Sequence, residues 1–395
     1  MRMSEKGRFP LHVLVKALVL FAAANGIFAA FDFMPGLGRI SIYNRLVPGR
    51  LRLPYGENPE SDYNLSLFNL EAMFASHEVA APPAPDEFRV MLIGDSSTWG
   101  FLLRPEETLA YLFSPHPHGY VHIYNLGYPT MSLTKDLLLL EYAMRYQPDM
   151  IIWMVTLESF PQSKQLASPI LQHNAGAVRD LIAKYGLHSD PDDPRLITPT
   201  LWDRTLAGER RSLADLIRLQ LYGFLWAATG VDQSIPAEFD PPQEDLEADA
   251  SFHGLLPPVL KESDLAFDVL AAGLRMAGDY NLWIVNEPIY ISQGLNGDIR
   301  YNFFYPRWAY DQYRVLLTDW CSSHKLHCLD FWDLIPPEEF SNSAIHRTPH
   351  GEKLLKEELL QEVWMRGMFV DPVFAARSRS RPAGLAARLF RTTGS

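Results

Sequence analysis

The sequence predicts an α/β protein built on a five-stranded parallel sheet with helices on both faces. Three observations predict it. Five short apolar runs, 88–94, 120–126, 149–156, 281–286 and 326–331, alternate with segments of helical periodicity. The first run stops abruptly at Gly94-Asp95-Ser96, which sets polar groups at the carboxyl end of a strand, where open α/β sheets bind ligands. The chain has 395 residues, 47% of them hydrophobic and 12% aromatic, enough to bury a full core.

The elements follow in order. Residues 1–10 carry Arg2, Lys6 and Arg8, and residues 11–31 are apolar apart from His12, Lys16 and Asn25. At 1.5 Å per residue this run just crosses a hydrocarbon core of about 30 Å. The cationic flank leaves the amino terminus in the cytoplasm and the rest outside. The expectation is a transmembrane helix that projects from the domain and makes the chain a single-pass membrane protein. A cleaved signal peptide, with Ala22-Ala23-Ala24 as its small-residue site, is the competing reading; both export the domain. Residues 32–87 are expected to be an extended stem packed on the domain, ending in the stiff Ala80-Ala81-Pro82-Pro83-Ala84-Pro85. The main domain is placed at 88–366. Helices are expected at Leu133 to Tyr146 with Ser132 as cap, at Asp264 to Met276, at Arg307 to Trp320 and at His350 to Met365. Residues 160–262 are an insertion far longer than an ordinary connection. Within it Ser212 is expected to cap one helix, Leu213 to Ala228, and the acidic stretch Asp232 to Ala250, which has no base, is expected to be a mobile solvated loop. The insertion could be a lid or a buttress. Residues 367–395 form a basic tail with Arg377, Arg379, Arg381, Arg388 and Arg391. Cys321 and Cys328 are read as two buried free thiols, although an exported chain could pair them. The net charge of -12 argues against a nucleic-acid partner.

Gly94-Asp95-Ser96 resembles the first block of the SGNH (GDSL-type) hydrolases. Asn125-Leu126-Gly127 is similar to their second block, and Ile345-His346-Arg347-Thr348-Pro349-His350-Gly351 to their last. The resemblance covers residues 88–160 and 280–365. It implies a flavodoxin-like three-layer sandwich, a serine nucleophile at Ser96 and a histidine base at His346. A serine hydroxyl is weak until a base takes its proton, and an imidazole titrates in the range that permits this. The resemblance also implies an oxyanion hole made by the backbone N–H groups of Ser96 and Gly127. His350 falls on the following helix and reads as a surface residue.

Two positions depart from that pattern. The aspartate that orients the histidine should stand three residues before it, where this chain has Ser343, preceded by Asn342. Asp330, Asp333 and Glu339 are alternatives that could reach from elsewhere, and a Ser-His dyad aided by a backbone carbonyl is another. The asparagine of the third block is replaced by Glu158, and a carboxylate aimed at an oxyanion opposes the charge that catalysis must stabilise. Asn286, in Val285-Asn286-Glu287-Pro288, is the alternative donor, unless Asn286 and Glu287 serve only strand-end turn chemistry. Glu158, Glu287, Tyr301 and Asn302 are candidate substrate-binding residues, the last two in an aromatic loop suited to sugar rings or to core packing.

These readings imply a membrane-anchored extracytoplasmic esterase or O-acyltransferase. Its partners would be the membrane, through the N-terminal helix, and an acylated polysaccharide or small ester. A catalytically degraded glycan-binding or scaffold protein is the alternative. No cofactor is expected, and no metal; His116 and His118 fall short of a metal site without nearby carboxylates or thiols.

Overall fold

A computed structural model describes residues 5–362 apart from 57–64, 66, 85–86, 114–120 and 279–280. The strands are β1 Phe88–Ile93, β2 Val121–Asn125, β3 Met150–Val155, β4 Asn281–Asn286 and β5 His327–Asp330. They form one parallel sheet in the order β2-β1-β3-β4-β5, the flavodoxin-like order, whose switch point lies between β1 and β3. The register pairs Leu92 with Asn125 and Ile152, and Val155 with Asn286.

Successive side chains of a strand point to opposite faces, and the core divides accordingly. Met91, Ile93, Ile151, Trp153 and Ile284 pack into one cluster; Val90, Leu92, Ile152, Met154 and Val285 pack into another on the reverse face. Every residue of β1, β3 and β4 is buried, as an interior parallel strand requires.

The helices that matter here are α1 Glu5–Phe31, α2 Leu70–Ser76, α3 Ser96–Trp99, α4 Leu133–Ala143, α5 Arg210–Leu221, α6 Gly223–Thr229, α7 Phe267–Ala277, α8 Arg307–His324 and α9 Pro349–Leu359. Residues of α4, α7 and α8 join the first cluster, and Leu355 and Leu359 of α9 join the second. Ser132 caps α4 by accepting the N–H of Lys135.

Several expectations are corrected. The stem packs on the domain but is not extended throughout, since helices form at Met34–Gly38 and Leu70–Ser76. Arg50, Arg52 and Leu53 are buried, Asn69 caps α2, and Arg50 pairs with Asp232 at 2.7 Å. The insertion holds two helices rather than one: α5 starts at Arg210 without a side-chain cap from Ser212, and the chain breaks at Tyr222 before α6. The acidic stretch is tied down. Leu246 N–H donates to the carbonyl of Leu295, Arg300 donates to that of Asp249, and Trp308 Nε1 to that of Ala250. Cys321 and Cys328 form a disulfide joining the end of α8 to β5. The pairing was hidden because residues seven apart on a helix and a strand meet only if the chain reverses between them; Lys325 does this in a left-handed conformation at φ +55°. His116, His118 and the basic tail lie outside the described residues.

One described helix, α1, is long and apolar enough to cross a bilayer. It does not simply project. Phe28 and Ala29 are buried against the domain, and Asn25 Oδ1 accepts the N–H of Ala207 from the insertion.

Candidate active site

The site is built at the carboxyl end of β1. Asp95 Oδ1 accepts the N–H of Ser97 at 2.9 Å and caps α3, which starts at Ser96. Ser96 is half-buried while its neighbours on both sides are buried, so its hydroxyl is the group this turn presents. Gly127 lets the loop after β2 touch α3: a Cβ there would stand 2.4 Å from the N of Trp99. Gly94 is equally constrained, since its Cβ would meet Thr98 Oγ1 at 2.2 Å.

His346 arrives from the loop before α9. Its Nε2 lies 2.8 Å from Ser96 Oγ, and its Nδ1 lies 3.2 Å from Asn342 Oδ1. An amide oxygen can only accept, so Nδ1 carries the proton and Nε2 is left to accept from the serine. Burial pushes the imidazole down to about 3, and the positive charge of Arg347 adds to this. The ring is thus neutral at pH 7. Phe101 stacks on it at 4.8 Å between centroids. The loop is pinned from its backbone: Ser341 N–H donates to the carbonyl of His346, and Tyr290 N–H to that of Ala344.

Asn342 holds the position at which sequence reasoning considered carboxylates. Ser343 is buried and makes a backbone turn to Ser341. Asp330 is spent on Asn286 at 2.7 Å and on Arg314. Asp333 is exposed, and Glu339 binds Thr348 and His350. None of the four has a hydrogen bond to His346.

Below Ser96 and His346 runs a buried ionic chain. Ser97 Oγ donates to Glu287, Arg347 Nη1 donates to Glu287 at 3.3 Å, and Arg347 Nε donates to Glu352 at 2.8 Å. All three charged residues are at most 1% exposed. Burial and the neighbouring Asp95 raise Glu287 well above the usual carboxylate range, with Arg347 opposing. Lys135, also fully buried, donates to the carbonyls of Gly94 and Tyr128 at 2.7 and 2.9 Å. It staples the end of β1 to the loop after β2. Sequence reasoning missed Arg347 and Lys135 in these roles. The one signal was a lysine in the first turn of the otherwise leucine-rich α4.

The remaining expectations fare unevenly. Ser96 N–H is the first amide of α3. Gly127 N–H donates to Asn125 Oδ1 at 3.0 Å, so this donor is engaged by its own loop. Asn286 is spent: its Nδ2 donates to Asp330 and its Oδ1 accepts from Tyr313 and Tyr310. Glu158 sits on the short turn after β3 and is 5% exposed. It pairs with Lys164 and, at 2.9 Å, with His253, which the insertion contributes. Tyr301 is 5% exposed, donates to Asp311 and lies under Arg307. Asn302 is fully buried and organises its own loop by accepting the N–H groups of Phe304 and Tyr305. Both therefore pack the loop rather than face a ligand. Their spacing carried no burial signal, because an aromatic loop reads the same whether it lines a cleft or fills a core.

No protein-family model matches the chain, and no curated protein does. Among solved structures it is similar to a lipolytic protein of the G-D-S-L family from Veillonella parvula, with 11% identity over 69% of this chain and 97% of that one and a TM-score of 0.33. It is similar to a second, putative G-D-S-L lipolytic protein from Desulfitobacterium hafniense at 12% identity, covering 69% and 97%, with a TM-score of 0.32. A carbohydrate acetylesterase from Sinorhizobium meliloti matches at 13% identity, covering 71% and 99%, also with a TM-score of 0.32. The sheet order, and the blocks of Ser96, Gly127 and His346 set at its carboxyl edge in that sequence order, make the chain similar to the SGNH (GDSL-type) hydrolases.

Proposed function

We propose that the chain is a serine esterase or O-acyltransferase of SGNH type, anchored in a membrane by α1 and acting outside it. The observation that carries the reading is the 2.8 Å contact between Ser96 Oγ and a neutral His346 whose Nδ1–H is held by Asn342. In the proposed reaction His346 Nε2 takes the Ser96 proton as Oγ attacks an ester carbonyl. The oxyanion forms at the N–H of Ser96 and at that of Gly127, which the oxyanion must take from Asn125 Oδ1. The imidazolium then gives its proton to the leaving alkoxide, which departs from an acyl-Ser96. Water or an acceptor hydroxyl attacks the acyl group, His346 takes its proton, and as the acyl–Oγ bond breaks the imidazolium returns a proton to Ser96 Oγ.

Asn342 orients the ring but adds no charge to stabilise the imidazolium, so the base is weak and turnover slow. Glu158 is engaged by Lys164 and His253 and does not serve as a donor. Export is supported by α1 and by the Cys321–Cys328 disulfide, a bond that persists in oxidising compartments. The proposed substrate is a small acyl ester on a carbohydrate at the cell surface.

The Asn125–Gly127 bond and Glu158 favour the alternative, a degraded binding domain. Labelling by a fluorophosphonate separates the two. The esterase reading expects a stoichiometric adduct on Ser96 and none in Ser96→Ala; a folded protein that takes no adduct supports the binding domain.

A further inference from the structure

We propose that helix α5 and the turn before it form a platform that sinks into the outer leaflet of the membrane, so that the domain lies on the lipid surface rather than standing off it. The inference rests on reading α1 as a retained membrane span. Asn25 fixes the depth. It lies six residues inside the apolar run that ends at Phe31, about 9 Å along the helix axis at 1.5 Å per residue. At that level its side chain accepts the N–H of Ala207. A piece of the soluble domain therefore stands beside α1 at a depth where α1 itself is apolar, and its outward surface must be apolar too.

That surface is largely apolar, with one exposed acid, Asp203, which is held by Thr200. Leu201 and Trp202 sit in the turn that carries Ala207 and are 69% and 65% exposed. Ile217 and Leu221, four residues apart on α5, are 56% and 55% exposed, while Leu216 and Leu219 bury the opposite side. Tyr43 donates to the carbonyl of Leu219 at 2.8 Å and Gln220 accepts the N–H of Ile42, which locks α5 to the segment that leaves α1. Arg210 and Arg211, at the start of α5, are exposed and suit anionic headgroups. An apolar stripe with a tryptophan and a cationic end, beside a membrane span, is the pattern of a helix lying in the interface.

Both native cysteines are in the disulfide, so a single introduced cysteine takes a thiol dye alone. The full-length chain carrying Leu221→Cys is labelled with bimane and reconstituted into vesicles of phosphatidylcholine and phosphatidylglycerol containing doxyl-labelled lipid. The expected result is quenching of at least about half that seen for Leu18→Cys in α1, with none for Lys353→Cys on α9, across the sheet. Quenching at Leu18→Cys but none at Leu221→Cys overturns the platform and leaves the anchor standing. No quenching at Leu18→Cys overturns the membrane span and the platform with it.

Discussion

Asn342 is the residue at which the site departs from a serine–histidine–carboxylate triad, since an amide oxygen meets His346 Nδ1 there. A carboxylate beside Nδ1 would favour the imidazolium; the amide does not, and burial with Arg347 holds His346 near 3. The acid limb of kcat/KM on p-nitrophenyl acetate is expected well below pH 5 while the protein stays folded. Asn342→Asp is expected to move that limb upward by a unit or more and to raise turnover about tenfold or more; an unchanged profile would mean that this contact does not govern the base. The same shift affects stability. The folded His346 pKa lies below the unfolded value of 6.5, so between about 3 and 6.5 the unfolded chain binds the extra proton and this residue's contribution falls as pH falls. His346→Gln removes that proton uptake, and its urea midpoint is expected to drop less between pH 7.5 and pH 5 than that of the parent. Arg347 is the counterpart in the core. Arg347→Met leaves Glu287 and Glu352 without their cation and is expected to cost about 3–5 kcal/mol in denaturant unfolding.

At the scale of elements, the strands were legible because each is an apolar run of a length that a buried parallel strand requires, and β1, β3 and β4 are buried throughout. Ser96, Gly127 and His346 were legible because they sit where such strands stop or a helix begins. Their partners were not. Ser97 meets Glu287 across 190 positions, and Lys135 meets Gly94 only when α4 packs on the sheet. A buried charge announces itself in sequence as an anomaly and names no partner. The same limit hid the break at Tyr222 and the disulfide. That bond holds the end of α8 to the edge strand β5. Replacing both cysteines by serine is expected to lower stability by about 2–3 kcal/mol, by the loop-closure estimate for a short loop, and to leave Ser96 labelling intact. Loss of labelling would tie the disulfide to the site.

At the scale of the whole molecule, the expectation of an N-terminal helix standing clear of an independent domain gives way to a helix whose last turns belong to it. Phe28 and Ala29 are buried and Asn25 is bonded to the insertion, so removing α1 would strip a covered surface. Mature protein is expected to retain this helix and to resist extraction by alkaline carbonate; a mature chain beginning near Asn25 would mean that α1 is a signal peptide. The insertion, in turn, touches Glu158 through His253 and α1 through Ala207. The central claim remains chemical, that Ser96 is a nucleophile activated by His346. It is tested most directly by mass spectrometry of the full-length protein after treatment with a fluorophosphonate. The account predicts one adduct on Ser96, absent in Ser96→Ala and slowed at least a hundredfold in His346→Ala; a folded protein that stays unmodified, or an adduct elsewhere, would contradict it.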